Sequence, residues 1–293
     1  MKKIVITGCS SGFGYNAAKH FAEKGHFVYA TMRNIDSKNA EAASALWDFA
    51  KANGYQMEVL EMDVTSDESV NAAIAQTTDV DVLINNAGIG YGGPLEAYSS
   101  AQCLAQLDIN IVGTLRVAKA VLPAMRSRKS GLIIQVSSIA GRLCNPGFGV
   151  YHASKWGLEG LSETMRYELA PLGIDVVIVE PGPFATHFFE NIVQATNEEV
   201  AAAYQHVGAF LEGFGKQFEA MVADENMPTD PMVVVEAFDK LINTPAGSRP
   251  LRTIAGVDLG ARHLNETVEP IRKAGLEAFG LADCDGPTIL HKH

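Results

Sequence analysis

Short apolar runs rich in β-branched residues recur along the chain: Ile4-Val5-Ile6, Phe27-Val28-Tyr29-Ala30, Met57-Glu58-Val59-Leu60, Val82-Leu83-Ile84, Leu132-Ile133-Ile134-Gln135-Val136 and Val176-Val177-Ile178-Val179. Runs of this length and makeup predict six strands. Between them, apolar positions at helical spacing predict helices over 15–24, 38–52, 66–76, 101–126 and 151–172. A further strand is expected near Ile254. Strand and helix alternate throughout, and that order implies right-handed crossovers and helices on both faces of a doubly wound parallel α/β sheet of about seven strands. Ligands of such a sheet bind at the carboxyl ends of its strands.

No Pro/Gly/Ser linker interrupts the first 185 residues, and no internal repeat is visible, so residues 1–293 are read as one domain. After Thr186 the pattern loosens. Phe210, Phe214 and Phe218 stand four apart on one helical face. Two readings are open: a lid over a substrate, spanning roughly 187–230, or a helix packed on the core. The segment 257–293 reads as a C-terminal extension that either caps the substrate site or blocks a subunit contact.

The charge balance narrows the partners. With 34 Asp+Glu against 23 Lys+Arg the net charge is -11, a field that repels polyanions and argues against nucleic acid. No apolar run reaches the roughly 18 residues of a membrane span, and the short apolar start is no signal peptide, so a cytoplasmic location is expected. Cys9, Cys103, Cys144 and Cys284 form no CxxC pair and suggest neither zinc nor a disulfide framework. His206, His291 and His293 stand apart, and no metal site is expected.

The first strand runs into Thr7-Gly8-Cys9-Ser10-Ser11-Gly12-Phe13-Gly14, after which a helix begins. Glycines permit positive φ and close backbone approach, and a helix amino end turns free N–H groups and a positive dipole toward a pyrophosphate. The place between first strand and first helix makes Gly8, Ser10, Ser11, Gly12, Phe13 and Gly14 candidates for a dinucleotide loop. At the end of the second strand stands Thr31-Met32-Arg33, with no carboxylate for a ribose hydroxyl and with a guanidinium able to grip a 2′-phosphate. NADP(H) is therefore expected over NAD(H).

These residues resemble the short-chain dehydrogenase/reductase family, in its compact, Rossmann-type, non-extended form. Thr7-x3-Gly12-x-Gly14 is similar to the family's cofactor loop, Asp63-Val64 to its adenine contact, Asn85-Asn86-Ala87-Gly88 to its motif after the fourth strand, and Pro181-Gly182 with Thr186 to its nicotinamide-side loop. The opening loop, the Tyr29-Ala30-Thr31-Met32-Arg33 stretch and the tail look most similar to the branch holding 17β-hydroxysteroid and retinol dehydrogenases. The resemblance implies hydride exchange between a ketone or aldehyde and an alcohol, and a homodimer or homotetramer formed through the helices at 101–126 and 151–172.

Tyr151 and Lys155 are four apart, which puts phenol and ammonium on one helical face. Tyr15 and Lys19 share that spacing, but they fall just after the cofactor loop, where helix packing accounts for them. Ser138 precedes Tyr151 by 13 residues, at the end of the fifth predicted strand, and Asn110 matches the family's fourth catalytic position. The expected division of work is Tyr151 as acid and base with its pKa lowered by the nearby ammonium and a cationic nicotinamide ring, and Ser138 bonded to the reacting oxygen. By resemblance, Lys155 also holds the nicotinamide ribose, with Tyr151 beside the cofactor, and Asn110 positions a relay water. Leu143, Asn145, Phe148 and Phe184 are expected to line an apolar or aromatic substrate. A non-catalytic NADP(H) sensor or interaction module is the alternative, since a fold does not fix a function.

Overall fold

The computed structural model describes residues 1–288; His291, His293 and the end of the expected extension lie outside the described residues. Seven parallel strands form one sheet: β1 (Lys3–Thr7), β2 (Phe27–Met32), β3 (Met57–Glu61), β4 (Val82–Asn85), β6 (Gly131–Val136), β7 (Ile174–Pro181) and β9 (Arg252–Ala255), in the order β3-β2-β1-β4-β6-β7-β9. The predicted six strands and the seventh at Ile254 are all present. Strand order reverses between β1 and β4, and the crevice at that switch point is where such sheets bind ligands.

Two apolar layers sandwich the sheet. On one side Ile4, Ile6, Val28, Ile84 and Val177 pack with Phe21 of helix α1 (Gly12–Glu23), Leu46 of α2 (Ala40–Asn53) and Phe238 of α9 (Met232–Asn243). On the other, Val5, Leu83, Ile133 and Val176 meet Val70 of α3 (Asp67–Ile74), Val121 of α5 (Gly113–Arg128) and Met165 of α6 (Gly149–Leu169). Alternate residues of each strand thus serve opposite faces, which explains why the strands read as continuous apolar runs.

The helix expected over 101–126 is not continuous. It is α4 (Ser100–Leu107), a π-helical turn over Asp108–Val112, then α5. Tertiary bonds to Asn110 hold that turn open, and local sequence carries no trace of them. Helix α1 begins at Gly12, earlier than expected, because the glycines themselves form its first turn. A two-strand ribbon pairs β5 (Tyr91–Gly92) with β8 (Val193–Gln194). It is followed by α7 (Glu198–Ala203) and α8 (Gln205–Ala223).

Of the phenylalanines four apart, Phe214 and Phe218 pack on Phe189, with centroids 5.9 and 4.4 Å away, and Phe214 also meets Phe148 at 5.8 Å. Helix α8 buries only Val207 fully, and none of its residues belongs to the two layers that sandwich the sheet. The segment after β9 forms α10 (Ala261–Ala278). A buried ion-pair network ties it to the sheet: Arg166 and Arg272 both hold Asp285, at 2.9 and 2.7 Å, and Arg166 also holds the fully buried Asp175 at 2.9 Å.

Candidate functional site

A cavity of about 800 Å³ runs along the carboxyl ends of β1, β2, β4, β6 and β7. At one end Gly8 (φ +73°) turns the chain out of β1, and a Cβ there would lie 2.9 Å from Ala87 Cα. Gly12 (φ +57°) opens α1. The N-cap residue, Ser11, makes no side-chain capping bond, which leaves first-turn N–H groups free to meet an anion.

The motif after β4 laces this loop in place. Thr7 Oγ1 accepts from the backbone N–H groups of Asn86 (3.0 Å) and Ala87 (2.9 Å), and Asn86 Nδ2 donates to the Thr7 carbonyl at 2.9 Å. Gly14 differs from its loop neighbours. It is buried beneath the loop, where a Cβ would collide with the Gly8 carbonyl, so it serves packing and does not line the cavity. Cys9 is also fully buried, its Sγ bonded to the Ile6 carbonyl and its thiol pushed up to about 12 by burial, which removes the thiolate that redox chemistry needs.

The adenosine end is cationic. Arg33 and Lys38 line the cavity beside Asn39, Asp63 and Val64. Glu61, at the end of β3, is occupied by the backbone N–H groups of Asn34 and Ile35, at 2.7 and 2.9 Å. Burial pushes the Asp63 carboxyl up, but two hydrogen bonds from Thr65 and the charges of Arg33 and Arg116 outweigh it, leaving Asp63 below its ordinary range.

At the centre, Ser138 follows β6 in extended conformation, its Oγ accepting from Ala140 N–H at 3.1 Å and donating to the Pro181 carbonyl at 3.4 Å, and it lines the same cavity as Tyr151. Lys155 stands one turn along α6, with Nζ 5.7 Å from the Tyr151 ring centroid and donating to the Val136 carbonyl at 2.9 Å. Burial pushes Lys155 down to about 8, against the opposing pull of Glu159. Burial likewise pushes the phenol up to about 12, with the nearby Ser138 hydroxyl opposing. In the protein alone desolvation dominates and Lys155 spends a hydrogen on a carbonyl, whereas the expected lowering counts on a cationic nicotinamide ring as well as the ammonium. The phenol is accordingly protonated at neutral pH.

Asn110 is 1% exposed and lies behind the cavity wall. Its Nδ2 donates to the Ile89 carbonyl and to Ser154 Oγ, both at 2.9 Å, and its Oδ1 accepts from Ile89 N–H at 3.0 Å. Gln106 Nε2 fills the other side of the Ile89 carbonyl at 3.1 Å. Both amide hydrogens of Asn110 are therefore used within the protein. The side chain thereby braces Ile89 and Ser154, while its Oδ1 keeps a second lone pair for a further donor.

Beyond Tyr151 the walls become apolar: Tyr91, Leu143, Phe148, Phe188, Phe189, Val193 and Phe214, with the polar groups of Asn145, His152, His187 and Asn191. All the Lys and Arg side chains that line the cavity (Arg33, Lys38 and Lys155) stand at or before the Tyr151 end. Phe184 is only 2% exposed, set edge-on against Phe13 at 5.3 Å, so it supports the cofactor loop more than the far chamber. Pro181, Gly182 and Thr186 complete the wall after β7. Sequence reasoning missed Lys38 and His152. Lys38 carried a signal, a second cation shortly after Arg33; His152 carried none beyond its place next to Tyr151.

Three comparisons bear on this geometry. The family model described as short chain dehydrogenase matches residues 2–197. The 17-beta-hydroxysteroid dehydrogenase type 1 of Homo sapiens is 38% identical over 203 residues, covering 67% of this chain and 60% of that enzyme. The chain thus spans about 60% of that relative's length. A short-chain dehydrogenase from Streptomyces avermitilis superposes with a TM-score of 0.73 at 30% identity, over 96% of this chain and 98% of that one. The gluconate 5-dehydrogenase from Burkholderia cenocepacia, solved with NADP and tartrate, superposes with a TM-score of 0.59 at 31% identity, over 64% and 73% of the two chains.

Proposed function

The chain belongs to the short-chain dehydrogenase family, and from that premise we propose that it is an NADP(H)-dependent oxidoreductase interconverting an apolar or aromatic ketone or aldehyde with its alcohol. One observation carries the reading: Ser138, Tyr151 and Lys155 meet in a single cavity, between a cationic phosphate-binding end and an aromatic chamber. The glycine cradle and the uncapped start of α1 fit a pyrophosphate, and Arg33 with Lys38 fit a 2′-phosphate. The nicotinamide cofactor, when bound, supplies or accepts the hydride.

The protein's own residues manage the proton. Tyr151, protonated at physiological pH, is in the form that donates to a carbonyl oxygen during reduction; in the reverse direction the phenol must first release its own proton to solvent, and the phenolate then takes that of the hydroxyl. Ser138, lining the cavity with the phenol, holds the same oxygen and stabilises the developing alkoxide. Lys155 brings positive charge beside the phenol and toward the ribose end, next to Gly88, where a Cβ would lie 3.7 Å from Nζ. Asn110 keeps Ile89 and Ser154 in register around that lysine. The aromatic segment from 187 to 230 acts as a lid that keeps water from the carbonyl. Exposed Leu104, Val112 and Trp156, on or between α4 and α6, are suited to a subunit contact.

The test is oxidation of NADPH and NADH across ketones graded from small aliphatic to steroid-sized, with Tyr151→Phe in parallel. Turnover with NADPH that vanishes in Tyr151→Phe supports the reading. An inert panel with tight NADPH binding overturns it in favour of a sensor.

A further inference from the structure

The stretch between Ser138 and Tyr151 forms one wall of the aromatic chamber through Leu143, Asn145 and Phe148. Before α6 begins at Gly149 its only regular structure is the 3-10 turn Ile139–Gly141, so individual contacts must hold it. On one side the Gly147 carbonyl accepts from Gly93 N–H at 2.8 Å. On the other lies the imidazole of His152, 5% exposed and one residue beyond Tyr151.

The protonation of that ring follows from its neighbours. Nδ1 is 3.0 Å from the Ala140 carbonyl, which can only accept, so Nδ1 carries the hydrogen. Nε2 then keeps its lone pair, and the Asn145 backbone N–H donates to it at 3.1 Å. The Asn145 carboxamide, 3.2 Å from Nε2, is favourable there only with its NH2 end toward the ring. One neutral imidazole therefore ties the loop at both Ala140 and Asn145. Among the described residues neither the Ala140 carbonyl nor the Asn145 N–H has another hydrogen-bond partner.

We propose that His152 is a positioning residue that staples the loop 139–148 to the helix carrying Tyr151, and so sets the affinity for the carbonyl substrate without taking part in proton transfer. The proposal rests on the oxidoreductase reading of this cavity. Without the staple the loop loses its anchor in the middle, and the wall made by Leu143 and Phe148 loosens. Cofactor contacts, which lie on the far side of Tyr151, are untouched.

Two variants separate the staple from simple packing. His152→Leu removes both hydrogen bonds, and His152→Gln retains one donor and one acceptor. If His152→Leu does not fold, His152→Phe, which keeps a ring, replaces it. Two readouts apply: steady-state kinetics with NADPH and the ketone best used by the unmodified protein among 2-butanone, 2-decalone and a steroidal 17-ketone, and hydrogen–deuterium exchange of peptides covering 139–150. In His152→Leu the ketone KM rises about tenfold, within the net worth of the two lost hydrogen bonds, while kcat and the NADPH KM change by less than about threefold. Exchange at Asn145 speeds by a similar factor, and His152→Gln recovers most of both. Unchanged exchange and KM in the apolar variant overturn the proposal, as does a fall in kcat at constant KM or a glutamine variant no better than the apolar one. If the unmodified protein reduces none of the ketones, the oxidoreductase reading fails separately, and the exchange measurement alone decides the staple.

Discussion

The Phe188 ring packs on that of Tyr151, with centroids 5.3 Å apart at 52°. It occupies space left by the missing side chain of Gly90, where a Cβ would lie 2.5 Å from Phe188 Cζ. A substrate carbonyl approaching the phenol must share that space with the phenyl ring. Phe188→Ala is therefore expected to favour bulky ketones, raising the ratio of kcat/KM for a bicyclic over a small aliphatic ketone by about tenfold, roughly the worth of one or two newly buried methylenes. A ratio that stays at the unmodified value would place Phe188 outside the substrate's path.

Arg33 and Lys38 bring two positive charges to the adenosine end, while Glu61 is held by backbone N–H groups. Losing charge-assisted bonds to a phosphate costs about 1.5–3 kcal/mol, or roughly 10- to 100-fold in affinity. Arg33→Ala is expected to raise the NADPH KM by that factor and to leave the NADH KM nearly unchanged, because NADH lacks the 2′-phosphate. Lys38→Ala acts in the same direction with a smaller effect. Equal losses for both cofactors in steady-state titrations would assign the guanidinium to general folding of the loop.

Gly14 offers a separate handle on the cofactor end. A methyl group there runs into the backbone oxygen of Gly8 and the side chain of Asn86, neither of which is a free-swinging end. Gly14→Ala is expected to lower thermal stability by an amount typical of overpacking, about 1–3 kcal/mol, and to weaken NADPH binding together with it. Tight binding in a destabilised variant, read by fluorescence titration beside a melting curve, would separate the packing role from the loop's shape.

What the sequence made legible depended on whether the information was local. The strands were visible because each is a short apolar run buried on both faces, and Ser138 and Tyr151 because a strand end and a helical repeat add to the family resemblance. The resemblance to the short-chain dehydrogenase family, made from the loop and strand-end motifs, is borne out by the family match over residues 2–197. The break at Asn110 was hidden, since its π turn is held by Ile89 and Ser154, which lie far away in sequence. Two-residue strands such as Tyr91–Gly92 are too short for any periodicity. In the protein alone, burial, which depends on the whole fold and leaves no local signal, pushes the Tyr151 phenol up.

Glu180 closes β7 with no exposure to solvent and sits by Glu159, with Arg252 bonded to Glu159 at 2.8 Å and 3.6 Å from Glu180. Burial first, and the neighbouring Glu159 second, push the Glu180 carboxyl up from 4.5 to about 8, against an Asn265 hydrogen bond and the Arg252 charge. Between those two values the folded protein keeps a proton that the unfolded chain has released, so stability falls as pH rises through this window and levels off above it. Glutamine keeps the acceptor for Asn265 and carries no charge at any pH. Glu180→Gln is thus expected to melt several degrees above the unmodified protein at pH 9, a gap corresponding to about 1–3 kcal/mol, and to match it near pH 5. A gap of the same size at both pH values would mean that the carboxyl stays ionised in the fold, with Arg252 outweighing its desolvation.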